Sequence, residues 1–160
     1  MGLKAFTEND YWQLTEWIDS DELNVLWSGS TFQYPLTFRQ LDLHYSKKEV
    51  IPFLFTVDGQ HAGFIELFKV SDTSYRLCRV FIAEDYRGQQ HSKQMITTAI
   101  HYAQSKLSAT DITLNVFAHN TPALRCYRKL GFVEYQAESP NKTKPRTPNR
   151  WQPITMRWQN

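Results

Sequence analysis

The residues with most chemistry to offer fall in two stretches. The first runs Arg79-Val80-Phe81-Ile82-Ala83-Glu84-Asp85-Tyr86-Arg87-Gly88-Gln89-Gln90-His91-Ser92. An apolar run enters a short turn and then a pattern of helical period. The first turn of a helix has amide N–H groups without intrahelical acceptors and stands at the positive end of the peptide dipole. Such a turn takes a phosphate or pyrophosphate. Gly88 lets the backbone approach the anion, and Arg87 adds charge. Taken alone, this pattern is also a common structural joint. The second stretch runs from Leu114 to Phe132, and within it Asn120, Ala123 and Tyr127 fall at i, i+3 and i+7 on one helix face. Ala123 is small enough for a ligand to lie against. Tyr127 presents a hydroxyl there, although a core aromatic with its hydroxyl at the edge also accounts for it.

The elements that must position these stretches are legible in outline. A short strand at 3–6 is followed by Thr7 and Asp10 at capping-box spacing and by a helix near 9–18. Ser20 opens a second short helix that Ser28-Gly29-Ser30 ends, and Thr37 with Gln40 opens a third near 38–46. Apolar runs at 51–57, 61–70 and 75–83, divided by Asp58-Gly59 and by Ser71-Asp72-Thr73-Ser74, predict a three-stranded antiparallel meander. After Gly88, Ile96, Ala99, Ile100, Ala103 and Leu107 form an amphipathic stripe. Ile112, Leu114 and Val116 alternate as a strand, and strand-helix-strand order predicts a right-handed parallel crossover. Asn120-Thr121-Pro122 starts another helix, which Gly131 closes. Segments 132–137 and 151–158 read as the last two strands. Between them, 139–150 carries Lys142, Lys144, Arg146 and Arg150 with three prolines and no acid. It reads as a solvated loop or as a substrate lip favouring an acidic partner.

Composition removes many alternatives. At 160 residues, 41% hydrophobic and 21% charged, the chain is expected to be a single globular domain over 1–160. A net charge of +2 gives no reason to expect nucleic acid or an anionic membrane as partner. No apolar run has membrane-span length, and the first residues lack a signal-peptide layout. Cys78 and Cys126 cannot build a disulfide framework, so a cytoplasmic setting is expected and both thiols read as structural. The glycines form neither a dinucleotide fingerprint nor a Walker loop, and the histidines show no metal-ligand spacing, so no metal is expected.

Together the two stretches resemble the GNAT superfamily of acyl-CoA-dependent N-acyltransferases. The first is similar to its [QR]-x-x-G-x-[GA] signature, and Tyr86, Arg87 and Gly88 fit the residues around it. The second carries every anchor of its L-x-V-x-x-x-N-x-x-A-x-x-x-Y-x-x-x-G-F element: Leu114, Val116, Asn120, Ala123, Tyr127, Gly131 and Phe132. The likeness covers about residues 75–135. Three positions depart from the pattern. Gln90 stands where the middle glycine is usual, Ser92 where the last small residue is, and Glu84 replaces the usual proline.

The resemblance implies an α/β (α+β) GNAT fold. Its mixed, mostly antiparallel sheet has six to seven strands and a splayed parallel pair, flanked by four to five helices. It also implies an N-acetyltransferase moving an acetyl group from acetyl-CoA to a primary amine of a small molecule or peptide, as a monomer or homodimer. Pantetheine would run along the edge at Val80, Phe81 and Ile82. Pyrophosphate would sit on Arg87, Gly88, Gln89, Gln90, His91 and Ser92. Asn120, Ala123 and Tyr127 would lie at the sulfur end, with Tyr127 donating to the leaving thiolate. Glu66, a lone acid in an apolar strand, is the first candidate base, with Glu84 second; a solvent-facing position also accounts for Glu66. The alternative from another class is a catalytically weak module that binds acyl-CoA or a partner. Trp27, Phe32 and Tyr34 are candidates to line an acceptor pocket or to pack in the core.

Overall fold

The computed structural model describes residues 1–136 and 151–160, so the basic stretch at 139–150 lies outside the described residues. A seven-stranded sheet runs β1 (Gly2–Ala5), β2 (Val50–Val57), β3 (Gln60–Lys69), β4 (Ser74–Ile82), β5 (Asp111–Phe117), β7 (Pro153–Trp158), β6 (Phe132–Glu134) from edge to edge. Every neighbouring pair is antiparallel except β4 and β5. The three short helices α1 (Tyr11–Trp17), α2 (Asp21–Ser28) and α3 (Phe38–Tyr45) cover one face, and α4 (His91–Leu107) with α5 (Thr121–Lys129) covers the other.

Strand alternation sorts the core into these two faces. On β2, Phe53 and Phe55 pack toward α4 while Leu54 packs toward α1–α3. The stripe on α4 is buried as the sequence predicts, with Ile96, Ala99, Ile100 and Ala103 nearly inaccessible. The helix starts also form where the side chains indicate. Ser20 Oγ accepts from the Leu23 amide at 3.1 Å and Thr37 Oγ1 from Gln40 at 3.3 Å. Gln40 does not close the box back on Thr37. Its amide instead bonds the backbone of Gln33 and Pro35, because the turn before α3 has polar groups to satisfy. The last strand inserts between β5 and β6, an order that local sequence patterns do not reveal.

Asp10 anchors the first turn. It accepts from the Thr7 amide at 3.0 Å, from Thr7 Oγ1 at 3.2 Å and from Lys4 Nζ at 3.2 Å. Burial opposes its charge, but these donors outweigh it and hold the carboxyl below its usual range. A carboxyl whose pKa falls on folding contributes stability above its unfolded value, near 3.9, and loses it as pH drops through the native value. Asp10→Asn is therefore expected to cost about 1 kcal/mol at pH 7. Urea unfolding of both proteins at pH 7 and pH 3 checks this, the gap narrowing at the lower pH.

Candidate active site

The site begins where the parallel ladder stops. β4 and β5 pair only over Ser74–Leu77 and Asp111–Leu114. Beyond that point β4 stays on β3, with Phe81 opposite Phe64 and Ile82 opposite Gly63, while β5 stays on β7 through Phe117 and Pro153. The facing edges of Cys78–Ile82 and Asn115–Phe117 thus diverge into a wedge. A β-bulge lies at its root. The β3–β4 register shifts between Phe64 and Glu66, and Arg79 takes a φ of 50° in the left-handed region. Val80 and Ile82 pack toward α4 and α5, and Phe81 is buried toward the first three helices.

At the open end of β4 a 3₁₀ turn (Glu84–Tyr86) leads to Gly88 at φ 73°, Gln90 at φ 63° and the start of α4 at His91. No backbone carbonyl among the described residues outside regular elements accepts from the amides of Gly88, Gln89 or Gln90. With the first-turn amides of α4, they form a donor-rich concavity suited to an anion. Arg87 folds back. Its Nε donates to the Ile82 carbonyl at 3.0 Å and its guanidinium lies 5.7 Å from the Phe81 ring, so it braces the turn as well as charging it. Gln89 bonds the Asp85 carbonyl at 2.9 Å. The half-buried His91 ring meets Gln94 Oε1 at 2.9 Å, and Ser92 Oγ lies 3.7 Å from Cys126 Sγ on α5.

Gln90 occupies the position where the signature has glycine, and it adopts the left-handed backbone that glycine takes freely. The loop keeps its path at a conformational cost of about 1 kcal/mol. At Gly88 a Cβ would meet nothing within 4 Å, so only the positive φ demands glycine. Gly88→Val is expected to distort this loop and weaken coenzyme A binding about tenfold, because β-branched residues are outliers at positive φ. Titration calorimetry checks this; an unchanged dissociation constant would place the phosphates elsewhere.

Tyr127 is buried on α5, its ring edge-on to Phe132 at 5.9 Å. Its hydroxyl makes no hydrogen bond among the described residues and is not among the fully enclosed unpaired groups. Burial raises its pKa well above that of free tyrosine, and the Cys126 and Cys78 thiols add to the shift. Tyr127 shares the α4–α5 core with Leu77 and Leu114, the last residues of the β4–β5 pairing, and with Val116, and Val80 packs against the same core. The Cys78 thiol is itself pushed up to about 11, chiefly by burial, and stays protonated at neutral pH. Asn120 caps α5, as its place before Thr121-Pro122 predicts. Its Oδ1 accepts from the Ala123 amide at 3.4 Å. Ala123 is half-buried against the α4–α5 core.

Glu66 is not an open carboxylate facing the wedge, nor is it solvent-facing. It is 0% exposed, beneath α1–α3. Arg79 Nε lies 2.6 Å from Oε1, Tyr45 donates its hydroxyl to Oε1 at 2.6 Å, and His44 Nε2 lies 3.3 Å from Oε2. Burial raises its pKa, but His44, Arg79 and Tyr45 together outweigh that and leave it lowered. Glu84, the other candidate, is exposed in the 3₁₀ turn. Trp27 stacks on Phe32 at 5.6 Å, both nearly inaccessible, so they are core; Tyr34 is exposed and donates to the Asp19 carbonyl.

Sequence reasoning missed the Arg79 bulge, the Glu66 network and an aromatic cluster at the end of β5. There Trp151 meets Phe117 at 5.1 Å and His119 at 4.8 Å. The bulge has no local signature, since arginine in a strand gives no warning of positive φ. Glu66 gave the one available clue, an acid in a run otherwise apolar from Phe64 to Phe68. No group of three or more potential metal ligands occurs among the described residues.

A mixed sheet whose one parallel pair parts beyond Leu77 and Leu114, with a donor-rich turn at the end of β4, is the frame of the site. The sequence pattern of the acetyltransferase (GNAT) family matches residues 11–132, and the chain belongs to that family. It is 28% identical over 92 residues to spermidine N(1)-acetyltransferase of Escherichia coli (strain K12), a match covering 57% of this chain and 50% of that protein. The aligned chain thus spans about half the length of this curated relative. The fold is similar to a Vibrio cholerae spermidine N-acetyltransferase crystallised with CoA and spermine (TM-score 0.74, 21% identity, 97% of this chain and 91% of that one). It is also similar to AAC(6')-Ib in complex with ribostamycin and coenzyme A (TM-score 0.77, 16% identity, 98% and 92%). No helix among the described residues is long and apolar enough to cross a membrane.

Proposed function

We propose that the protein is an acetyl-CoA-dependent N-acetyltransferase acting on a primary amine. The observation that carries this reading is the end of β4–β5 pairing at Leu77 and Leu114, residues that share one core with Tyr127. An extended pantetheine arm adds to an unpaired strand edge as another strand would. The edge at Val80–Ile82 supplies that surface, and the turn from Arg87 to Ser92 supplies amides for the pyrophosphate. The ligands of structurally similar proteins, CoA with spermine or with ribostamycin, support the same donor and an amine acceptor.

The chemistry is direct attack in a ternary complex. A neutral amine forms the C–N bond to the thioester carbonyl, the tetrahedral oxyanion is stabilised by a main-chain N–H at the wedge, and collapse breaks the C–S bond. The amine gives up one proton to water in the open cleft, and the departing thiolate takes a hydrogen bond from Tyr127 and is protonated by solvent on release. A tyrosine raised above pKa ~10 cannot fully protonate a thiolate of pKa ~8.5 without an uphill step of more than about 2 kcal/mol, so Tyr127 acts as a donor that keeps its proton. The lowered pKa and enclosed oxygens of Glu66 argue against it as the base.

The test is thiol release from acetyl-CoA against a panel of amines, alongside calorimetry with coenzyme A. Release that depends on an amine supports the enzyme. Heat with coenzyme A but no release for any amine supports the binding module instead, and no heat with coenzyme A ends both readings.

A further inference from the structure

We propose that Glu66 is a positioning residue of the cleft: through Arg79 it holds the β4 bulge that decides which main-chain amides of Val80, Phe81 and Ile82 face the acyl donor. This rests on reading the wedge as an acyl-CoA site.

The alternation along β4 carries the argument. Tyr75 and Leu77 face the α4–α5 core, and so do Val80 and Ile82, whereas Phe81 and Ala83 face α1–α3. Leu77 and Val80 are three positions apart, so one extra residue lies between them. In a regular strand Arg79 would point into the α4–α5 core, and Val80 and Ile82 would turn the other way. A one-residue shift reverses every side chain beyond it, and with them the amides that point toward β3 or away from it. The bulge therefore selects the hydrogen-bonding groups presented to the wedge.

Side chains hold the bulge from beneath. Glu66 stands opposite Cys78, next to the extra residue, and binds Arg79 Nε. Tyr45 and His44 from α3 fix the carboxylate in turn. Arg79 Nη1 donates to Thr31 Oγ1 at 3.1 Å. The Arg79 carbonyl accepts from Trp27 Nε1 at 2.9 Å, so α2 takes a main-chain acceptor that a regular ladder would use. A carboxylate with no exposed surface and both oxygens engaged by protein groups has no path to an incoming amine. Its burial instead gives a defined backbone geometry, a role that buried ionic groups fill in some proteins.

Three variants of the full chain test this: Trp27→Phe, Glu66→Gln, and Glu66→Gln combined with Arg79→Met, which leaves no lone buried charge. Each is measured by thermal melt, coenzyme A calorimetry, kcat, and hydrogen exchange at the amides of 78–82. Trp27→Phe keeps the ring packing and loses one hydrogen bond. It is expected to melt cooperatively, to raise the coenzyme A dissociation constant about three- to tenfold, and to speed exchange at 78–82. The double variant is expected to melt near the wild type and to show the same pattern at least as strongly. A fall in kcat with coenzyme A binding and exchange unchanged makes Glu66 a base and overturns the proposal. A shift in melting alone reduces it to stability and also overturns it. If the wild type itself takes up no coenzyme A, the acyl-CoA reading fails, while the ligand-free exchange data still decide whether Glu66 and Trp27 hold the bulge.

Discussion

Tyr127→Phe is expected to lower kcat by about 10- to 150-fold while leaving coenzyme A binding and thermal stability close to wild type. The magnitude is that of one hydrogen bond to a developing charge, roughly 1.5–3 kcal/mol. Stability is spared because the hydroxyl has no partner to lose. The ring remains, so the packing against Phe132 is unchanged. Burial raises the tyrosine pKa, so its proton stays in place through the alkaline range and the wild-type rate should not fall with tyrosine ionisation near pH ~10. Steady-state kinetics across pH, with calorimetry on both proteins, check this. Equal kcat in the variant would remove Tyr127 from the reaction. A loss far above 10³-fold would instead mean that the phenol transfers its proton completely.

Gly63→Ala is expected to be the most destabilising small substitution near the cleft. A Cβ there would lie 2.6 Å from the Phe81 carbonyl oxygen, 2.9 Å from Ile82 Cδ1 and 3.2 Å from Met95 Sδ. The nearest of these is backbone, which can move only by pulling β4 away from β3. Overpacking of this kind costs about 3 kcal/mol, or roughly 6–12 °C in Tm for a chain of this size. The same displacement shifts Phe81 and Ile82 along the edge proposed for pantetheine, so coenzyme A binding should weaken as well. Melting curves and calorimetry test the two consequences. A Tm within 2 °C of wild type would mean that the β3–β4 pair yields more readily than its close packing implies.

The buried network around Glu66 shows where a linear reading loses its grip. An acid surrounded by apolar residues in a strand points to a special environment, and that much is correct. Whether the environment is a substrate cleft or an internal ion pair depends on Arg79, thirteen positions away, and on Tyr45 and His44 from a helix before the meander. Asn120 is the opposite case. Its place before Thr121-Pro122 marks it as a helix cap, and the structure uses it as one, its side-chain oxygen accepting from the Ala123 amide.

Periodicity, caps and turn residues, all encoded within a few neighbouring positions, already determined the elements, and the family was legible in the motif residues from Tyr86 to Phe132. The alternation of Ile112, Leu114 and Val116, the stripe from Ile96 to Leu107 and the Asn120-Thr121-Pro122 start each arise from local backbone preference and one-sided burial. Only the folded chain decided the insertion of β7 between β5 and β6, the bulge at Arg79 and the internal pairing of Glu66. These depend on hydrogen bonds and charges brought together from distant positions, and no short window of sequence holds both partners.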